Sequence, residues 1–547
     1  MRLILSALSL AIVAPLSAAD RPNILFIAVD DLKPMMGCYG DKTILTPNLD
    51  RLAARGTVFL NAHTQQAVCG PSRASLLTGL RPDTTKVYDL KTRIRSVLPD
   101  VVTLPQHFRQ AGYETIGMGK IFDPRSVDGR KEDDPASWSR PYIHTDGKGG
   151  VAGFLNPDFV ARATNIMKEK GIRPGDTDAL KEALGGFPPT EGEDVPDAAY
   201  EDGELADAAV AQVRELASRD EPFFLAVGFH KPHLPFVAPK KYWDLYDRDQ
   251  IDLAEFTTLP TGAPGIAFQD SNELKNGSYQ RDLIPKGPGL LPEPVQRQLI
   301  HGYMACVSYV DAQVGKLLDA LDASPAAQDT IIVLWGDHGF HLGDHGMWCK
   351  HTNYEQATRV PLLFARPGQA GAGGRSQSPV EFLDIYPTLC DLAGLPIPAV
   401  LQGTSLVPIL DDPKASVKPA ARSQYPRGSE KSPVMGYAWR DERYRYVQWI
   451  DSRQPGSAPV AAELYDYETD PGETRNLVSD PAHADTLARF EKLAAATEKD
   501  PTPPAKSAPP AKKAQTAKPK AAYDPNEPRD QRYDRLFPGK AKVSYEE

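Results

Sequence analysis

A chain of 547 residues is too long for one simple core and points to a large domain with something smaller attached. A formal net charge of −10 leaves no basic footprint, which argues against nucleic acid as a partner. Any anionic ligand must then be drawn in by local Lys and Arg. The chain opens with Arg2 and a nearly unbroken apolar stretch from Leu3 to Leu16, followed by Ser17-Ala18-Ala19. That order reads as a secretory signal cleaved near Ala19, with the mature protein exported to the periplasm or beyond and not anchored in a membrane. Five cysteines (Cys38, Cys69, Cys306, Cys349 and Cys390) have neither zinc-site spacing nor a disulfide framework. Cys306 and Cys390 fall on apolar helix faces, where a small buried hydrophobe is expected.

The first strand is Asn23-Ile24-Leu25-Phe26-Ile27-Ala28-Val29, a continuous apolar run that ends in Asp30-Asp31. Such a run suits a strand buried on both faces. The spacing of Leu205, Ala209, Val213 and Leu216 predicts a helix over Asp202 to Ala217, and Phe223 to Gly228 follows as a second buried strand. The pairing repeats. Tyr303, Cys306, Val310, Val314, Leu317 and Leu321 line a helix over Gly302 to Leu321, and Thr330 to Trp335 forms the next strand. Val360 to Phe364 is a further short strand, and Pro387 to Leu395 reads as a helix with Gly394 near its end.

Alternation of this kind predicts an α/β sheet with helices on both faces. Asp30-Asp31, His230 and Asp337-His338 each lie just past an apolar strand, where open α/β sheets place their ligand crevice. Beyond about residue 412 the texture changes. Met435 to Ile450 and Glu463 to Tyr467 alternate Tyr, Trp and Val with polar residues, as antiparallel strands do. Pro501 to Lys520 is Pro, Ala and Lys and cannot bury a core. The expected organisation is a signal over 1–19, a catalytic domain over 20–412, a subdomain over 413–500, a linker over 501–522 and a charged tail over 523–547.

The most informative segment is Ala67-Val68-Cys69-Gly70-Pro71-Ser72-Arg73-Ala74-Ser75-Leu76-Leu77-Thr78-Gly79. It resembles the signature at which type I sulfatases convert a cysteine into formylglycine. That aldehyde is hydrated and becomes the nucleophile. Val29-Asp30-Asp31-Leu32, Gly37-Cys38-Tyr39-Gly40, Arg81-Pro82-Asp83-Thr84-Thr85 and Gly228-Phe229-His230-Lys231-Pro232-His233 extend the likeness, which is strongest to the iduronate-2-sulfatase group. The resemblance runs from about Pro22 to Tyr467. It implies an alkaline phosphatase-like sulfatase fold, a large mixed sheet flanked by helices with a smaller antiparallel sheet after it.

It also implies a site. Asp30, Asp31, Asp337, His338 and the formylglycine from Cys69 match the family's divalent-metal ligands, and carboxylate oxygens suit a hard cation, Ca2+. Arg73, Lys120 and Lys350 match the cations that hold the formylglycine and the sulfate oxygens, where fixed positive charge serves the transition state. His230 matches the donor of a proton to the leaving alcohol, Asp337 the base, and His233 a structural or substrate-facing residue. One departure stands out. Three residues after the lysine, where iduronate-type enzymes carry His, this chain has Asp123. Either Asp123 substitutes as base, or another group does, with His63, His341 and His345 as candidates.

The implied activity is hydrolysis of sulfate esters on a sulfated saccharide, after maturation by a formylglycine-generating enzyme. The rival readings are a phosphonate monoester or phosphodiester hydrolase of the same superfamily, and a non-catalytic glycan-binding relative. The polar, Gly/Pro-rich stretch from Asp123 to Glu201 is expected to border the crevice as loops. Arg93, Arg95, Trp138, His144 and Trp348 are candidates for sugar contacts or for packing.

Overall fold

The computed structural model describes residues 21–497, apart from 128–132, 146, 148, 288, 430 and 455. The signal segment, the linker and the tail expected from the sequence lie outside these residues. Among the described residues no helix is long and apolar enough to cross a membrane.

Strand β1 (Asn23–Val29) sits near the middle of a seven-stranded sheet. Its partners come from far along the chain: β2 (Thr57–Phe59), β3 (Glu114–Gly119), β4 (Phe223–Phe229), β5 (Thr330–Gly336), β6 (Leu362–Ala365) and β7 (Gly374–Ser376). Across the sheet they run β7-β2-β6-β5-β1-β4-β3. β1 pairs in parallel with both β4 and β5, and β6 pairs antiparallel with β5 and β2, so the sheet is mixed. The central strands read as unbroken apolar runs because both faces are covered. Leu25, Ile27 and Val29 enter one buried cluster, and Ile24, Phe26 and Ala28 enter the other. Each large side chain so buried contributes ~1.5–3 kcal/mol.

Helix α1 (Cys69–Thr78) is buried at every one of its positions. Helix α2 (Glu201–Leu216) and the 30-residue α3 (Glu293–Asp322) pack on one side of the sheet, and α4 (Ile385–Leu392) on the other. The stripe in the sequence marked only the later turns of α3. The helix begins nine residues before Gly302, with Pro294 in its first turn, where a missing N–H costs nothing. β6 starts after Pro361 rather than at Val360, because a proline cannot donate to the ladder.

The stretch from Asp123 to Glu201 is less loop-like than its composition suggested. It holds helices at Pro157–Lys170 and Thr177–Leu184, capped by the side chains of Asn156 and Asp176. After residue 412, β8 (Ala421–Ser429), β9 (Ser432–Arg440), β10 (Tyr444–Asp451) and β11 (Ala461–Asp466) form an antiparallel meander, followed by α5 (Ala484–Thr497). β8 fastens this sheet to the main body: Gln424 N donates to Gln65 O at 2.7 Å and Ser423 Oγ to Thr64 O at 2.6 Å.

Register is what assembles the site. Val29 lies abreast of both Phe229 and Gly336, so the next residues, Asp30, His230 and Asp337, emerge side by side. Gly119 pairs with Gly228, and Lys120 N donates to Gly228 O at 2.7 Å, which adds Lys120 to the row. A Cβ on Gly228 would lie 2.0 Å from Lys120 O. Gly228→Ala is therefore expected to destabilise the fold by about 1–3 kcal/mol, read as a lower urea midpoint at unchanged slope. An unchanged midpoint would contradict this packing.

Candidate active site

Cys69 is the first residue of α1, at the positive end of the helix and 1% exposed. Its Sγ lies 3.3 Å from His338 Nε2. Burial, followed by the charge on Asp30, pushes its thiol well above the ordinary cysteine range. A thiolate nucleophile needs the opposite environment.

Arg73 lies one helical turn further on, and its side chain has no solvent exposure. Nη2 donates to Asp30 Oδ1 at 3.1 Å, Nε to Asp337 Oδ2 at 2.9 Å, and Nη1 to the carbonyls of Lys120 and Ile121. Lys120 Nζ donates to Asp30 Oδ2. Lys350 Nζ donates to both oxygens of Asp31, at 2.9 and 3.0 Å, and to Glu273 Oε1 at 2.8 Å. Asp31, in the left-handed region at φ 60°, turns its backbone N–H to Asp337 Oδ1 at 3.0 Å. His338 Nε2 is 3.3 Å from Asp31 Oδ1 and 3.5 Å from Asp337 Oδ1.

Burial raises the affinity of these carboxyls for protons, and their neighbours decide the outcome. Lys120 and Arg73 overcome burial at Asp30 and hold it well below the usual carboxylate range. At Asp337 burial and the adjacent Asp30 charge prevail, and its pKa rises. Lys350 is held protonated: burial opposes this, but Asp31 and Glu273 more than offset it.

The donor set fits a hard divalent cation. One oxygen each from Asp30 and Asp337, Cys69 Sγ and a nitrogen of His338 all lie within 4.8 Å of one another, and Asp31 and His233 join Asp30 and Cys69 in an overlapping group. Two buried carboxylates brought this close repel each other, and a cation would relieve that repulsion. His338 supplies the one nitrogen of the expected set.

His230 and His233 diverge. His233 turns toward the cluster, 3.4 Å from Glu273 Oε1 and 4.0 Å from Asp31 Oδ2, and burial with Lys350 lowers its pKa to about 3. His230 Nδ1 faces Glu201 Oε1 at 3.4 Å and Asp202 Oδ1 at 3.7 Å. Burial would lower its pKa, but Glu201 and Asp202 outweigh it and the net shift is upward.

All nine expected site residues except His230 thus meet in one buried knot, with His230 at its edge. Glu273, Glu201 and Asp202 carry no signal of a site role in the amino-acid order alone. Acidic residues in a first helical turn or a surface loop are ordinary, and only the fold brings these three to histidines and Lys350. The alternative bases are committed elsewhere. His63 Nε2 meets Asn61 Oδ1 at 2.7 Å, His341 Nε2 meets Thr352 Oγ1 at 2.9 Å, and His345 Nε2 meets Gly472 O at 3.0 Å. Asp123 is bound by Arg125. Among the sugar-contact candidates, Trp138 and Trp348 are buried core residues and Arg95 pairs with Asp134.

Residues 22–395 match the model of the sulfatase family, and residues 343–500 match that of the N-sulphoglucosamine sulphohydrolase C-terminal region. Iduronate 2-sulfatase of Mus musculus is 35% identical over 535 residues, covering 86% of this chain and 93% of the relative. The delta 4,5-hexuronate-2-O-sulfatase of Bacteroides thetaiotaomicron is 28% identical over 495 residues, covering 88% and 89%. A solved 2-O GAG sulfatase superposes with a TM-score of 0.63 at 26% identity, over 88% of this chain and 93% of that one. The phosphonate monoester hydrolase of Agrobacterium radiobacter, at 24% identity and a TM-score of 0.66 over 88% and 96%, shares the fold.

Removing the guanidinium strands two buried carboxylates. Arg73→Met is expected to lower stability by ~3–5 kcal/mol, measured by denaturant titration of protein freed of divalent ions. A loss below about 1 kcal/mol would show that Arg73 does not hold the strand ends together.

Proposed function

The chain belongs to the sulfatase family and is a sulfuric ester hydrolase, and on that premise we propose that it removes the 2-sulfate from a uronate residue of a sulfated saccharide. The reading adds four things: formylglycine formed from Cys69 by a maturation enzyme, a resident calcium ion, export through the N-terminal signal, and the roles given below. The observation that carries it is the knot of Asp30, Asp31, Asp337 and His338 around Cys69, with Arg73, Lys120 and Lys350 interleaved. The iduronate and hexuronate 2-O-sulfatase relatives support the substrate class.

A hydrated aldehyde at position 69 would supply an oxygen nucleophile, and calcium held by Asp30, Asp31, Asp337 and His338 would supply Lewis acidity. The chain's own groups do the rest. Lys120 and Lys350 bear positive charge close enough to Cys69 for both to act on it, and such fixed charge serves a sulfate whose oxygens gather charge as the ester bond breaks. Asp337, whose Oδ2 is held by Arg73 and whose Oδ1 accepts from the Asp31 backbone N–H, is the carboxylate placed to take a proton from the attacking hydroxyl. His230, whose pKa Glu201 and Asp202 push up against the effect of burial, gives its proton to the departing sugar oxygen. Arg73 holds Asp30 and Asp337 in place.

Sulfate release from a panel of sulfated disaccharides tests this directly. Uronate 2-sulfates are expected to be turned over fastest, and Cys69→Ala to fall to background while retaining its fold. Higher kcat/KM on a phosphonate monoester than on any sulfate, or wild-type turnover by the Cys69→Ala protein, would contradict the reading.

The His230 shift sets a pH dependence. Its acid form persists above the ordinary histidine value of about 6.5. kcat should therefore hold to higher pH than an ordinary histidine allows and fall as pH rises past the raised pKa. Glu201→Gln removes the first of the two acidic partners, so the alkaline limb of kcat should move to lower pH. An unmoved limb would detach His230 from proton donation.

A further inference from the structure

The residue at which this chain departs from the family signature is fully engaged. Asp123 has no side-chain exposure. Its Oδ1 accepts from the Arg125 backbone N–H and from Arg125 Nε, both at 2.9 Å, and its Oδ2 accepts from Nη2 at 2.6 Å. Burial works to raise its pKa, but Arg125 and Lys120 outweigh burial and the net shift is downward. A carboxylate with both oxygens held by a guanidinium fork is a poor proton acceptor.

The arginine is the open member of the pair. Its side chain is 45% exposed, and among the described residues Nη1 has no hydrogen-bond partner. The fork uses its Nε–Nη2 edge on Asp123, which leaves the Nη1 side free to meet another oxyanion. The turn that carries it is fixed on the start of α1. Lys120 and Ile121 carbonyls accept from Arg73, Ile94 N donates to Ser126 O at 2.9 Å, and a Cβ on Gly70 would lie 2.8 Å from Ser126 Oγ. Arg125 is close enough to the catalytic centre for the charge of Asp30 to act on it. Burying a carboxylate to pair with a half-exposed arginine costs stability unless the orientation of that arginine is put to use.

We infer that Asp123 is a positioning residue and that it holds the Arg125 guanidinium beside the Cys69 end of α1, where Arg125 binds a second oxyanion of the substrate, a carboxylate or a further sulfate. This rests on the sulfated-saccharide reading and deepens it. The sulfate to be cleaved is met by Lys120 and Lys350, and Arg125 selects saccharides with another anion beside it.

Binding separates the possibilities when turnover is stopped by Cys69→Ala in the full chain. Calorimetry compares three compounds: a uronate 2-sulfate disaccharide, its uronate methyl ester, and the same methyl ester carrying an added N-sulfate. Arg125→Gln is expected to weaken binding by at least about tenfold, the scale of a charge-assisted hydrogen bond, for each compound whose second anion Arg125 holds. Binding of the methyl ester without added sulfate should change by less than about twofold. Loss on the free uronate identifies a carboxylate, and loss on the N-sulfated ester identifies a sulfate. With Cys69 intact, Asp123→Asn should raise KM for the same compounds more than it lowers kcat, and Arg125→Lys should recover part of the loss seen in Arg125→Gln.

Equal weakening of all three compounds, or none, overturns the inference alone. A fall in kcat at constant KM for Asp123→Asn does so too, since it would make Asp123 a proton acceptor. Failure of all three to bind the unsubstituted Cys69→Ala protein overturns the substrate reading and this inference with it.

Discussion

Arg73 touches the ends of three strands. Its guanidinium reaches Asp30 after β1, Asp337 after β5, and the carbonyls of Lys120 and Ile121 after β3, with no exposure to solvent. Strands that meet at Asp30, Lys120 and Asp337 are widely separated along the chain, and parallel pairing alone leaves the charged residues at their carboxyl ends unlinked. A planar fork with donors on three sides is the side chain that can bind two carboxylates and two carbonyls at once; an ammonium would satisfy fewer with less directional hold. It stands one turn inside α1, so the same contact seats Cys69 over the strand ends.

Charge balance follows from that arrangement. Asp30, Asp31 and Asp337 are matched by Arg73, Lys120 and Lys350, with Glu273 as a further acid on Lys350. In so dry a place each ion depends on its partners, because water contributes little to its stability. The cysteine is the group left out of the pairing: burial and Asp30 keep it a neutral thiol. A site this rich in fixed charge, built around a residue unsuited to thiolate chemistry, makes sense when position 69 works as an oxygen nucleophile and the lysines face a substrate anion.

Much of this was legible in the sequence because the chemistry sits where apolar runs stop. β1, β4 and β5 are continuous hydrophobic strings, and Asp30, His230 and Asp337 follow them directly. The strands away from the sheet centre gave weaker signals. Thr57–Phe59 has three residues, Glu114–Gly119 carries two glycines, and Ala421–Ser429 is mostly polar with a proline, since its role is to fasten one sheet to another. Lys120 was singled out through the family resemblance, although the strand before it was not. Glu273, Glu201 and Arg125 belong to the second rank: each matters through a contact across long sequence separation or through a turn whose shape no periodicity encodes. The departure at Asp123 was visible at once, but its meaning was not, because an aspartate two residues from an arginine becomes a closed fork only when the turn between them is seen.

The central claim is that the buried cysteine is the precursor of the nucleophile. Mass spectrometry of the peptide containing Cys69, taken from active protein made in a host with a formylglycine-generating enzyme, tests it most directly. The account predicts that oxygen has replaced the thiol SH and one Cβ hydrogen, and that sulfate release scales with the fraction so converted. A peptide that retains its thiol in fully active protein would contradict it.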